Sequence, residues 1–371
     1  MKRISKHISI SVCALGTLAW SGASQASGFS VPEMSAVGLG LSNAMVANTR
    51  EAGAVPYNPA VMVLLGDASV GAGGLLISPN LEVSDTFLNP GKSFDSDAPD
   101  WIASGFAHGH VSLNEVLGLG ISINSPFGLQ TNWPSAAFAS GFAAVGAAGA
   151  EPTLSELELV SASPSLAYKI NDNAAVAAGF DLYWARQLFF NTPANGIDGD
   201  GTGTGWHLSG ILTRGDWSLG AAYFSSTELD IEGNVAGIPA ETDLELPWRF
   251  QVGARYQATD QLGVEVDFTR TGWSTFDKLV ISHADLGVPL VTSANNWDDA
   301  NAYRLGVTYD LSDATSLFFG YTFDETPQDD EHFSARIPDA DRHLFSLGVS
   351  HELAGGWNLE GGYMYVNFKD R

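Results

Sequence analysis

Val176, Ala178, Phe180, Leu182 and Trp184 form one apolar row, and Ala177, Gly179, Asp181, Tyr183, Ala185 and Gln187 form the smaller or polar row between them. The same period of two sets Leu262, Val264, Val266 and Phe268 against Gln261, Gly263, Glu265, Asp267 and Thr269. It returns with Tyr303, Leu305, Val307, Tyr309 and Leu311 against Ala302, Arg304, Gly306, Thr308 and Asp310. Such alternation predicts strands with one apolar face. Thirteen segments of this kind begin near Ala68, Trp101, Val116, Glu156, Ala174, Gly205, Asp216, Leu244, Gln261, Asn301, Thr315, Arg342 and Trp357. Each is roughly 9–14 residues long, enough to cross a bilayer at a tilt. Short connections fall at 112–115, 170–173, 214–216, 258–260, 311–314 and 352–356, and long ones at 79–100, 130–155, 191–204, 227–243, 274–300 and 325–341. Short turns on one side and long loops on the other predict an all-β fold, a transmembrane antiparallel β-barrel. Trp101, Trp206, Trp217, Trp248, Trp273, Trp357 and Tyr168 lie near strand ends, where interface girdles would sit. The first connection is long, which puts the N-terminus in the periplasm and the long loops outside the cell. Thirteen is odd, whereas single-chain bacterial barrels have even counts. Arg371 follows the thirteenth segment directly, so either the count is off by one or a final strand is missing.

One segment breaks the rhythm. Val116 to Asn124 reads as a strand, and Ser125-Pro126-Phe127-Gly128-Leu129 follows it. Proline offers no N–H to a ladder and glycine weakens a strand interior. Either Pro126 ends the third strand at the outer rim, or the strand kinks inward there and leaves a gap in the wall.

Charge and leader narrow the class. The N-terminal residues carry a basic head (Lys2, Arg3, Lys6), a short apolar core (Ile8 to Trp20) and the small-residue site Ser24-Gln25-Ala26. That pattern predicts a signal peptide over 1–26. Cys13, the one cysteine, lies inside it after Val12, so neither a lipoprotein anchor nor a disulfide is expected. Losing three basic residues and no acid takes the net charge from −25 to −28, which argues against nucleic acid as a partner. No mature stretch is long and apolar enough for a membrane helix. Residues 27–66 lack alternation, are rich in small residues, and are broken by Pro56 and Pro59. They are too apolar for a solvated tail and are expected to plug the lumen of a barrel spanning 67–371.

These features resemble the FadL/TodX family of outer-membrane transporters for long-chain fatty acids and aromatic hydrocarbons. The resemblance rests on "GFSVPEMSAVGLG" and Gly53-x-x-x-x-Asn58-Pro59-Ala60 in the plug, then "SPFGL" (125–129), "GWSTF" (272–276), "AYRLGVTY", "FDETP" (323–327) and "IPDADR" (337–342), in the family's order. It implies a fourteen-stranded barrel, a hatch formed by the plug, and a third-strand kink used as a lateral exit. The implied activity is passive uptake of hydrophobic compounds, with long-chain fatty acids first and aliphatic or aromatic hydrocarbons as the alternative. Outer-membrane lipid and lipopolysaccharide are the expected surroundings, with a monomer, no cofactor, no metal and no enzymatic activity. The loop 191–204 departs from the family in being short and polar. The apolar loop "PSAAFASGFAAVGAAGAEP" (134–152) instead offers Phe138, Phe142 and Val145 as a capture surface. Arg186 and Lys278 are candidate partners for a carboxylate head group, although Arg186 shares the lipid-facing parity.

Other constellations are weaker. His108-Gly109-His110 puts two histidines on one strand face without an evident third ligand. "DGDGTG" (198–203) lacks the distal glutamate of a calcium loop and reads as a flexible polar loop. Asp324 and Glu325, with Arg336 and Arg342, read as ordering the outer loops. No Ser/His/Asp grouping is evident from the chain. A general porin, a surface adhesin and a lipid-hydrolysing enzyme are the rival classes.

Overall fold

The computed structural model describes residues 7–11 and 28–370. Thirteen strands follow one another in antiparallel order: β1 (Ala68–Ile77), β2 (Ile102–Ser112), β3 (Leu117–Asn124), β4 (Leu154–Asn171), β5 (Ala174–Asn191), β6 (Gly196–Arg214), β7 (Trp217–Phe224), β8 (Arg249–Gln257), β9 (Leu262–Thr271), β10 (Ala300–Ser312), β11 (Thr315–Asp324), β12 (Arg342–Leu353) and β13 (Trp357–Phe368). Each pairs with the next. All thirteen expected segments are present. The seam between β13 and β1 holds the short strand His7–Ser11, parallel to both. These five residues belong to the expected leader, so cleavage after Ala26 would remove them from the seam and leave its N–H and C=O groups unpaired. The rest of the leader lies outside the described residues.

The two parities separate as expected. Val176, Phe180, Leu182 and Trp184 point outward, with Phe180 68% exposed, while Asp181, Glu265, Asp267 and Arg304 are buried on the inner face. An apolar exterior over a polar interior is the inverse of a soluble core and suits a sheet in lipid. Trp101, Trp206, Trp217 and Trp357 are exposed on the outside, but Trp273 is fully buried. It packs among Phe29, Phe276 and Trp297 and is not a girdle residue.

The outer side is more ordered than the expected loops. Residues 196–204 are not a loop: β6 runs through them, joined to β5 by only 192–195. "DGDGTG" lies in that strand, paired on one side with β5 and on the other with Thr227–Val235. Its alternation of glycine with aspartate and threonine is a strand period of two in small residues, which an apolar count overlooks. The expected loop 227–243 is a hairpin, Thr227–Val235 with Ile238–Leu246, and a second hairpin pairs Lys278–His283 with Pro289–Ala294.

Residues 28–65 pack against the inner wall. They form the helix α1 (Ala36–Gly40), capped by the Ser35 side chain, and 3-10 turns at Ala52–Ala54 and Pro59–Val63. Met45, Val46 and Ala47 are fully buried. Wall glycines let the hatch backbone approach closely: a Cβ on Gly220 would lie 2.0 Å from the Val46 carbonyl oxygen, and one on Gly320 2.4 Å from Leu41.

Candidate functional site

The ladder between β2 and β3 ends at Ala107↔Ile123. Beyond that pair, Ile102–Phe106 keep their partners on β1 alone, because β3 leaves the wall. Asn124 still faces Ser161 of β4, and Gly128 faces Glu158. Ser125, Pro126 and Phe127 therefore stand opposite only Val160 and Leu159. The extra residue and the missing proline N–H bend the strand inward, as at a bulge. Its continuation, Gly128–Asn132, pairs with β4 only. Pairing with β4 thus resumes two residues beyond Pro126.

The freed backbone is taken up by the hatch. Val31 N–H donates to the Pro126 carbonyl at 2.8 Å, and Gly128 N–H donates to the Phe29 carbonyl at 2.9 Å. Ser30 and Phe127 form an isolated antiparallel bridge. Polar groups that lipid could not satisfy are thus paired inside the lumen. The buried Phe127 ring packs on Phe29 and Trp273, with centroids 5.8 and 6.1 Å away. Leu129 is half-buried against the same aromatic cluster.

Two sets of bonds hold the hatch. Asp267 accepts from the N–H groups of Met45 and Val46 at 2.9 and 3.0 Å, and Glu265 accepts from Ala47 N–H at 2.7 Å. The second set centres on Asn58, which is fully buried and caps the turn Pro59–Val63. Its amide donates to the Val46 carbonyl at 2.7 Å and to the Gly210 carbonyl of β6 at 3.0 Å, while Ala60 N–H reaches Ser209 Oγ at 3.1 Å. The Asn58-Pro59-Ala60 motif is therefore a tie between hatch and wall.

The outer loop 325–341 straps the kinked strand from above. Thr131 Oγ1 and Trp133 Nε1 donate to the carbonyls of Arg336 and Ala335 at 3.0 and 2.7 Å. Arg336 donates to Ser155 and Asn191 and lies over the Phe190 ring. Asp339 accepts from Gly28 N–H and the Thr326 hydroxyl. Arg342 pairs with Asp324, and Glu325 accepts from Asn301. Only the Arg342–Asp324 half of the expected four-residue grouping thus forms a direct ion pair.

Burial holds the Asp339 carboxyl well above the ordinary carboxylate range. A raised folded pKa means its contribution is full below the unfolded value of about 4 and is lost as pH rises through the raised value. Proteolysis within 325–341 of the folded protein should therefore quicken as pH rises from about 4 to 8. Asp339→Asn should flatten that dependence.

The expected head-group partners are elsewhere. Arg186 points outward and pairs with Glu158 at 3.0 Å, and Lys278 is exposed at the start of an outer hairpin. Arg249 and Arg304 face the lumen. They line a pocket with Ser30, Met34, Tyr57 and Gln251, and the Nε atom of each is buried without a partner. Arg304 stood in the inward row of the pattern, so parity could have singled it out.

Phe138 and Phe142 are half-buried, and Val145 beside them is exposed. Their loop meets the first outer loop through a Ser140 hydroxyl bond to the Phe87 carbonyl, leaving Phe87 and Leu88 exposed as well. His108 and His110 face inward. His110 Nδ1 meets Ser69 Oγ at 2.9 Å, while His108 Nδ1 and His110 Nε2 lack partners. Among the described residues, the cluster of potential metal ligands is the exposed trio Glu228, Asp230 and Asp243, not this pair. A Ser/His/Asp grouping does exist: Ser165, His207 and Asp181 are hydrogen-bonded across β4, β5 and β6. Widely spaced in the chain, they meet only once the register of three strands is known.

A family model described as "Outer membrane protein transport protein (OMPP1/FadL/TodX)" matches residues 17–371. The chain is 26% identical over 413 residues to a long-chain fatty acid transport protein of Salmonella typhi, covering 97% of this chain and 91% of that protein. It is 24% identical over 391 residues to a 47 kDa outer membrane protein of Pasteurella multocida, covering 94% and 89%. Its fold is like that of a Pseudomonas aeruginosa FadL homologue, with TM-score 0.75, 18% identity and 92% of each chain covered. It is also like that of the Pseudomonas putida toluene transporter TodX, with TM-score 0.64, 13% identity and coverage of 88% and 90%. With a hatched antiparallel barrel already in view, these matches make the chain a member of the OMPP1/FadL/TodX family of transport proteins, in the Gram-negative outer membrane.

Proposed function

We propose that the protein passes long-chain fatty acids through the outer membrane without an energy source and releases them sideways into the bilayer. The observation that carries this reading is the end of the β2–β3 ladder at Ala107↔Ile123. Past it, one strand edge faces a kink whose backbone is already satisfied by the hatch. An acyl chain strongly prefers lipid to periplasmic water, by about 0.8 kcal/mol per CH₂. A side exit at Ser125 to Leu129 therefore spares the substrate an aqueous step. Phe138, Phe142 and the exposed Phe87, Leu88 and Val145 form the capture surface. The substrate then enters the pocket beside Tyr57, and displacement of the hatch around Asn58-Pro59-Ala60 opens the way to the gap. A buried hatch disfavours a general aqueous porin.

Fatty acids are favoured over neutral hydrocarbons by Arg249 and Arg304, whose unpaired Nε groups suit a carboxylate. The test compares oleate with toluene. Arg249→Met with Arg304→Met should lower oleate uptake about tenfold or more and leave toluene entry unchanged. Equal loss of both, or of neither, would remove the fatty-acid assignment. The aromatic cluster of Phe29, Phe127, Trp273, Phe276 and Trp297 at the kink supports an aromatic hydrocarbon as the second reading.

A further inference from the structure

Three lumenal side chains outside the proposed route form a hydrogen-bonded row. His207 Nδ1 lies 3.0 and 3.1 Å from the two carboxylate oxygens of Asp181, and His207 Nε2 lies 2.9 Å from Ser165 Oγ. Strand register creates the row, because Gly179 of β5 faces Ser165 on one side and His207 on the other. The imidazole crosses above Gly179, where a Cβ would sit 2.4 Å from Nε2. The ring packs on Phe224, with centroids 5.3 Å apart, and Ser163 donates to Asp181 at 2.6 Å. Ser165, Asp181 and His207 are 5%, 2% and 1% exposed. A carboxylate only accepts, so His207 Nδ1–H donates to Asp181, and Nε2 then offers its lone pair to the Ser165 hydroxyl. Nucleophile, base and orienting acid are recognised by this geometry and not by chain order.

We propose that Ser165 is an acyl-accepting nucleophile, activated by His207, for carboxylic esters of fatty acyl chains that reach the lumen. Ser165 Oγ bonds to the ester carbonyl carbon as its proton passes to His207 Nε2. The acyl C–O bond then breaks, and the alcohol leaves with that proton. Water repeats the sequence: its proton goes to Nε2, its oxygen bonds to the acyl carbon, and Ser165 leaves with the proton restored. The net change is ester plus water to acid plus alcohol. Fatty acyl esters as substrate rest on the transport reading; the activated serine rests on geometry alone.

The hatch governs access. The turn Pro59–Val63 packs against β4, β5 and β6, and Ala60 is tied to Ser209, two residues along β6 from His207. Cutting the Asn58 tie should expose the row.

The test treats the purified, folded protein with an alkyl fluorophosphonate and maps the adduct by mass spectrometry. Heat-modifiable gel mobility confirms that every variant is folded. The adduct should form on Ser165 and form several-fold faster in Asn58→Ala. It should disappear in Ser165→Ala and fall about 100-fold in His207→Gln. Hydrolysis of p-nitrophenyl octanoate should follow the same order. No Ser165 adduct in either the wild type or Asn58→Ala, or an undiminished one in His207→Gln, would reduce the row to hydrogen-bond satisfaction. A Ser165 adduct without ester turnover would overturn the ester assignment. Ser165→Ala should keep full oleate uptake, so failure here is separable from failure of the transport reading.

Discussion

Deleting Pro126 and replacing Phe127 by valine should seal the wall and reduce oleate uptake by whole cells at least about tenfold. The deletion leaves two residues opposite Leu159 and Val160, so the strand needs no bulge. Valine then restores a strand former, and the strand can run on beside Ile102–Phe106. The chain gains ladder bonds and loses the aromatic contact with Phe29 and Trp273. The barrel should fold with normal heat-modifiable mobility, which separates a closed wall from an unfolded protein. Uptake at the wild-type rate by such a sealed barrel would show that substrate leaves by another path.

Pinning the hatch should stop transport as completely. Ser42 Oγ and Thr322 Oγ1 lie 2.9 Å apart, one on the hatch and the other on β11. Ser42→Cys with Thr322→Cys should form a disulfide, since small facing side chains at this separation suit its geometry. Cys13, in the expected leader, is the chain's one cysteine, so the pair has no native competitor after cleavage. Oxidised cells should take up oleate at background rates, and a reductant should restore them. Uptake indifferent to the redox state would mean that the hatch stays in place during passage. Glu265 and Asp267 act in the same sense: removing either leaves buried N–H groups of Met45 to Ala47 unpaired, at about 1–3 kcal/mol each.

The wall was largely legible in the chain. Period-two alternation found all thirteen strands, because lipid demands one apolar face along each of them. The inward burial of Asp181, Glu265, Asp267 and Arg304 followed from the same parity. Pro126 drew attention because a missing donor either ends a strand or interrupts its ladder. What escaped depends on contacts between distant residues. Residues 196–204 are a strand whose inner face is glycine apart from Ile197, too little for hydropathy to register. Trp273 looked like an interface tryptophan until Phe29 of the hatch covered it. Arg249 and Arg304 share a pocket from strands on either side of β9, and Ser165, Asp181 and His207 meet across three strands. Neither grouping has a sequence spacing to announce it.

The lateral route is tested most directly by a fatty acid carrying a diazirine near its methyl end, photolysed during uptake in intact outer membranes. Adducts should map to the free edge Ile102–Phe106 and to Ser125–Leu129. Adducts confined to the periplasmic turns at 113–116, 172–173 and 258–261 would contradict a sideways exit.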